Sequence, residues 1–157
     1  MIVQFTDFPE ELQPLATEAL EFYASKLMSK RLSNKLFIEI EGRDGLIDGY
    51  ANALCTWEND WYRPRDFHIE VNTDQKLEEL FTTLAHEMVH VKQFARGEMR
   101  DVFYPAKRTM WFKESVSRDK TDYWDLPWEI EAHGRERGLF VRFVEAKKIH
   151  KKFGYDG

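Results

Sequence analysis

A single cysteine, Cys55, stands in a chain of 157 residues. That excludes an intramolecular disulfide framework and any metal site made of thiolates alone. Histidine is also scarce, with five in all, so a metal centre would have to combine imidazoles with carboxylates. No run of 18 apolar residues exists, so nothing in the sequence spans a bilayer and no membrane partner is expected. The N-terminal stretch Met1-Ile2-Val3-Gln4-Phe5-Thr6-Asp7 lacks both a basic region and a long apolar run. No signal peptide is visible there, and the expectation is a soluble cytoplasmic protein. Positive charge is in deficit: 23 Lys and Arg face 28 Asp and Glu, for a net charge of −5 and a pI near 5.6. Wholesale binding of nucleic acid is therefore not favoured. Internal repeats and low-complexity linkers are missing too, so residues 1–157 read as one domain, expected to be a monomer.

What is present is a globular composition. Hydrophobic residues make up 43% and charged residues 32%, which is neither disordered nor membranous. Twelve Phe, six Tyr and five Trp form a heavy aromatic load that needs a core or a groove.

Periodicity outlines the elements. Between Pro9 and about Lys30, Leu12, Leu15, Ala16, Ala19, Leu20, Tyr23, Leu27 and Met28 keep a helical stripe. Pro14 fits only in the first turn, so this helix should start a few residues after Pro9. Leu36–Ile40 reads as a strand closed by a turn at Gly42-Arg43-Asp44-Gly45, and Tyr50–Trp57 as a second strand. In Asp66–Val71, Phe67, Ile69 and Val71 alternate onto one face, leaving His68 and Glu70 on the other. Asp74 is the expected N-cap of a helix carrying Leu77, Leu80, Phe81, Leu84, Met88, Val91 and Ala95, with Gly97 as its stop. The stretch Glu98–Leu126 is expected to be irregular, with Phe103, Tyr104, Trp111, Phe112, Tyr123 and Trp124 in it. Pro127 then opens a helix through Ile130, Val141 and Val144 to about Lys148. The order is α+β rather than an alternating βαβ pattern, and a small, mostly antiparallel sheet is expected.

Chemistry concentrates in His86-Glu87-Met88-Val89-His90. Residues four apart on a helix sit one turn apart on one face, so both imidazoles can reach one metal ion. Glu87 projects about 100° round the helix, beside the ion and free of it. This is the H-E-x-x-H arrangement of zinc metallopeptidases, and one Zn²⁺ is the expected cofactor. A third ligand is required. No histidine extends the motif through residues 91–96, so the third ligand is sought in Pro127-Trp128-Glu129-Ile130-Glu131-Ala132-His133. Glu129 shares a more apolar stripe with Ala132, His133, Glu136, Phe140 and Phe143, and is preferred. Glu131 shares a solvated stripe with Arg135, Arg142 and Glu145 and is the alternative. His133, one turn beyond Glu129, can orient a ligand or be an ordinary helix histidine.

A peptidase also needs a donor to the developing oxyanion. His68, Tyr104, Tyr123 and His133 are candidates, each more often structural than catalytic. Trp111, Trp124 and Trp128 are expected to close the core, and Cys55 to act as a small buried hydrophobe.

Two segments are similar to a known group. Thr83–Gln93 and Leu126–Ala132, with the strand Asp66–Val71 before the first, resemble small zincin-type metallopeptidases of bacterial and phage genomes, namely SprT-like and minimal gluzincin proteins. The resemblance spans roughly residues 36–145. It implies a zincin-like fold, with an antiparallel or mixed sheet whose edge strand borders the cleft and the H-E-x-x-H helix packed beneath. It also implies His86, His90 and a Glu as ligands, with Glu87 as base. SprT-type proteins often use a third His and carry a Cys-rich ribbon; this chain has neither, so the minimal gluzincin pattern fits better. The expectation is thus a zinc-dependent intracellular peptidase acting on a protein or peptide. The alternatives are a metal-binding regulatory or interaction module without turnover, and a DNA-associated protease.

The segment Arg135–Lys152 holds seven Lys and Arg against Glu136 and Glu145, an excess of five positive charges. A solvated helix end favoured by its dipole is the preferred account. Accordingly, no DNA binding is expected at low ionic strength in a fluorescence-anisotropy titration; binding that weakens steeply with added salt would instead mark this segment as a phosphate-binding patch.

Overall fold

The computed structural model describes residues 1–59, 62–102 and 107–154. It is an α+β arrangement with three long helices gathered on one face of a four-stranded sheet, and a second, three-stranded sheet beside them.

The chain opens with a strand that the sequence reading passed over. Strand β1 (Ile2–Thr6) turns Val3 and Phe5 inward against the core and leaves Ile2, Gln4 and Thr6 exposed. Five residues at a terminus give too short an alternation to stand out, yet this strand changes the topology. Helix α1 (Gln13–Leu27) follows, with Pro14 in its first turn, as expected. A short α2 (Lys30–Ser33) is separate from it, capped by Ser29 Oγ, which accepts from Leu32 N at 3.2 Å. Strand β2 (Phe37–Arg43) then returns parallel to β1. Strands β3 (Ala53–Glu58) and β4 (Asp66–Asn72) form an antiparallel pair, and β4 inserts beside β2 in parallel. The sheet order β1-β2-β4-β3 therefore contains two parallel ladders and one antiparallel ladder. The expectation of a mostly antiparallel main sheet is corrected: the unnoticed β1 makes the first helix a crossover between parallel strands.

The strand alternation places the core. Ile38, Ile40, Phe67, Ile69 and Val71 are buried on the helix side, while Glu39, Glu41, His68 and Glu70 occupy the opposite face. The expected turn at Gly42-Arg43 lies inside β2, with Gly42 buried beneath the Asp7 carbonyl. Tyr50, expected in a strand, is 72% exposed before β3 begins.

Helix α3 (Leu77–Ala95) is the centre of the molecule and packs against α1, β3, β4 and helix α4 (Pro127–Lys147). Asp74 does not cap it. The helix starts after Lys76 without a side-chain cap, and ahead of it Asn72 Oδ1 accepts from Asp74 N at 2.9 Å and from Gly45 N at 3.0 Å. At the far end Arg65 Nη1 donates to Ala95 O at 2.8 Å, and Gly97 leaves the helix with φ +74°, as the stop signal implied.

The stretch expected to be irregular carries β5 (Met99–Val102), β6 (Arg108–Trp111) and β7 (Glu114–Ser117), an antiparallel meander. Four-residue strands offer no readable alternation. The aromatic load lies chiefly elsewhere: Tyr23, Phe81, Phe140 and Phe143 are completely buried between α1, α3 and α4. Trp128 is buried and Trp111 packs on the core, but Trp124 is 70% exposed and does not close the core as expected. It sits on a single 3-10 turn, Tyr123–Asp125, just ahead of Pro127. Cys55 is only partly buried, packed on the core side of β3. No helix among the described residues is long and apolar enough to cross a membrane.

A Cβ on Gly42 would lie 2.2 Å from Asp7 O and 3.0 Å from Thr73 Cγ2. The oxygen is backbone at the exit of β1, so it cannot swing aside. Gly42→Ala should cost about 2 kcal/mol or more through overpacking, read as a lower denaturant midpoint at unchanged slope.

Candidate metal centre

Helix α3 is buried nearly all round, yet its second half carries polar side chains. His86, Glu87, His90, Lys92 and Gln93 are all buried, and burial without partners would be costly for each. The first turns of α4 supply most of those partners. The two helices pack closely because Leu126-Pro127 starts α4 beside the end of α3, where Gln93 Nε2 donates to Trp128 O at 3.0 Å.

Three side chains converge where the helices meet. His86 Nε2 is 3.0 Å from Glu129 Oε1, His90 Nε2 is 3.3 Å from Glu129 Oε2, and the two imidazole Nε2 atoms are 3.2 Å apart. Donors about 2.0–2.1 Å from one ion lie roughly 3.3 Å from one another, so the spacings are short enough for these side chains to share an ion. His86, His90 and Glu129 are thus able to hold a metal ion.

The outer nitrogens are engaged as well. His86 Nδ1 is 2.7 Å from Glu136 Oε2, and His90 Nδ1 is 2.8 Å from Gln93 Oε1. Glu136 also meets His133 Nδ1 at 3.3 Å. Tyr123 Oη donates to Glu129 Oε1 at 3.0 Å and lies 3.0 Å from His133 Nε2. Trp124 covers the His133 ring, with centroids 4.9 Å apart.

Electrostatics follow from this crowding. Burial works against a charge on His86, but its bonds to Glu129 and Glu136 outweigh that and push its pKa up to about 10. His90 is raised in the same sense, burial again opposing and Glu129 prevailing. Burial alone would raise Glu129, but hydrogen bonds from the two histidines hold it well below the usual carboxylate range. Glu87 is different: its burial dominates and raises its pKa, only partly offset by the nearby histidines. The Cys55 thiol is raised by burial and further by the Glu87 carboxylate.

A groove of about 780 Å³ opens over this centre. His86, Glu87, Thr83 and Glu79 form its floor along α3, with Asn52 and Ala53 at the start of edge strand β3 on one side. Tyr123, Trp124 and His133 stand on the other.

The structure thus brings together His86, Glu87, His90, Glu129, His133 and Tyr123 from the residues singled out by sequence. It leaves two apart. His68 points to the opposite face of the sheet, where Nε2 lies 3.2 Å from Glu41 and Nδ1 3.6 Å from Glu39, so it is removed from the oxyanion candidates. The strand alternation that buried Phe67 and Ile69 required this. Glu131 does not join the histidines either. It is not the solvated residue its stripe suggested, because its carboxylate reaches into Lys92, Gln93 and Arg135. Tyr104 lies outside the described residues. Sequence reasoning passed over Gln93 as a partner and gave Glu136 no role. Both were legible by spacing: Gln93 is three residues beyond His90 and Glu136 three beyond His133, each on its histidine's face.

The basic segment is largely neutralised where it is helical. Arg135 pairs with Glu131, Arg137 with Glu78 and Arg142 with Glu145.

No family model, no curated protein and no solved structure matches this chain. The functional reading therefore rests on the geometry of the site.

Proposed function

We propose that the protein is a zinc-dependent peptidase of zincin-like build, hydrolysing a peptide bond laid in the groove. One observation carries the reading. His86 Nε2, His90 Nε2 and the Glu129 carboxylate converge within one coordination sphere while the buried Glu87 faces the same open groove. A structural zinc site fills all four positions from the protein and has no use for a base; three ligands beside a groove leave a position for water.

His86, His90 and Glu129 would hold the ion. A zinc ion bound there supplies a water acidified to a pKa of about 7 and a Lewis acid for the scissile carbonyl. Glu87 takes the proton of the attacking water. Its burial raises its own pKa, which suits it to keep that proton and then deliver it to the leaving amine. Glu129, held ionised by the histidines, stays a ligand rather than a competing base. Tyr123 and His133 line the groove beside Glu129 and are our candidates to donate to the developing oxyanion, Tyr123 by turning its hydroxyl from Glu129 to the substrate. Edge strand β3 borders the groove, so an extended peptide can pair with its free backbone edge.

The paired arginines of α4 favour this reading over a DNA-associated protease, because they leave fewer free cations for phosphate.

Two measurements test the proposal. Glu87→Gln should retain one zinc per chain by elemental analysis and lose turnover of an unfolded protein substrate by at least about a hundredfold, the usual scale of general-base catalysis. Turnover equal to that of the parent would remove Glu87 from its role. His86→Ala and His90→Ala should each lose the metal, and chelation of the parent should abolish cleavage reversibly. A fully metallated alanine variant would refute the ligand assignment.

A further inference from the structure

Gln93 is completely buried one turn beyond His90, and its amide touches both ligand-bearing helices. Nε2 donates to Trp128 O at 3.0 Å and to Glu131 Oε1 at 2.9 Å. Both partners are acceptors: one is a backbone carbonyl, the other a carboxylate. The NH₂ group has two protons, and these two bonds use both. The amide cannot be reversed, because a carbonyl oxygen would then face two oxygens. Its Oε1 therefore lies towards His90 Nδ1, 2.8 Å away, and can only accept. His90 must therefore carry a proton on Nδ1, so the nitrogen left to give up its proton and offer a lone pair to a metal is Nε2, the one that faces His86 and Glu129.

Glu131 is itself fixed. Its Oε2 accepts from Lys92 Nζ at 2.5 Å and from Arg135 Nε at 3.0 Å, while its Oε1 accepts from the Gln93 amide. Lys92 is buried and also pairs with Glu98 at 2.8 Å. A charged chain thus runs from Lys92 and Arg135 through Glu131 to the Gln93 amide and ends on the His90 ring.

We infer that Gln93, oriented by Trp128 O and Glu131, is a positioning residue that locks His90 in the Nδ1–H form and aims its Nε2 at the shared metal position. The inference rests on the proposed metal site, but the tautomer lock itself is a property of the metal-free protein. His86 has a different device: a carboxylate, Glu136, at its Nδ1. The centre is held by an anion on one histidine and by a neutral amide on the other. Glu131 would serve such a site only through Gln93, its own carboxylate being turned to Lys92, Arg135 and that amide.

The test uses the full chain with Gln93→Leu and Glu131→Gln, read in two ways. The first is the exchange of the His90 Nδ1 proton by NMR in zinc-free protein. A slowly exchanging proton is expected in the parent and its loss in Gln93→Leu. The second is zinc affinity by competition with a chromophoric chelator. Gln93→Leu should bind zinc about 10–100-fold more weakly, the usual penalty for losing such an outer partner. Glu131→Gln should lie between the two, and it carries the test where Gln93→Leu does not fold, because its site is only half-buried and Lys92 keeps Glu98. Folded variants that bind zinc within about twofold of the parent, on the same scale, would overturn the positioning role. An unchanged His90 Nδ1 proton in Gln93→Leu would overturn the lock. A parent that shows the protected proton but binds no zinc would leave the lock standing, remove its role towards a metal, and refute the proposed function.

Discussion

Satisfying the polar groups of a buried helix is the constraint around which this molecule is built. Helix α3 lies between the sheet, α1 and α4, and its last turns are buried on all sides while carrying two histidines, a glutamate, a lysine and a glutamine. Each would be costly alone in that position. The solution is a facing helix whose first turns present Glu129, Glu131 and Glu136, one after another, to His86, His90, Gln93 and Lys92. The α3–α4 contact is therefore set by charge and hydrogen bonding at one end and by Phe81, Phe140 and Phe143 at the other. The aromatic end supplies cohesion; the polar end fixes the relative rotation and sliding of the two helices, because hydrogen bonds tolerate little displacement.

The same constraint separates the roles of chemically identical side chains. Three glutamates within eight residues of α4 meet three environments. Glu129 faces two imidazoles, Glu136 faces the outer nitrogen of one of them and His133, and Glu131 faces a lysine, an arginine and an amide. All three are held below the usual carboxylate range by these partners, burial notwithstanding. Glu87, on α3, has burial without a comparable donor and is shifted the other way. Carboxylates of both kinds suit the proposed hydrolysis, which calls for an anion that remains a ligand and a carboxylate able to hold a proton.

The outer face of the main sheet is built by a different rule. Glu39, Glu41, Glu70, Arg43 and His68 pair with one another there, over the parallel β2–β4 ladder. They account for His68, one of the oxyanion candidates, whose strand position placed it on the opposite face of the sheet.

Local spacing alone determined a good part of this protein. The stripe of α1 and its late start at Pro14, the burial of Phe67, Ile69 and Val71, the pairing of His86 with His90 on one face, the stop at Gly97 and the start at Pro127 all follow from periods of two or 3.6 residues and from backbone chemistry. The preference for Glu129 over Glu131 rested on the same periodicity, and Glu129 is the one beside the histidines. Other features needed distant parts of the chain. The β1–β2 parallel ladder depended on β1 finding β2, over thirty residues away; Asn72 bridges to Gly45 and to Asp74 N ahead of a helix that Asp74 does not cap; Trp128 is buried while Trp124 is exposed; and Glu131 was drawn from its apparent solvated stripe by Lys92. The physical reason is the same in each case. A helical or strand period says which residues share a face, but which partner that face meets is decided only when another element packs against it.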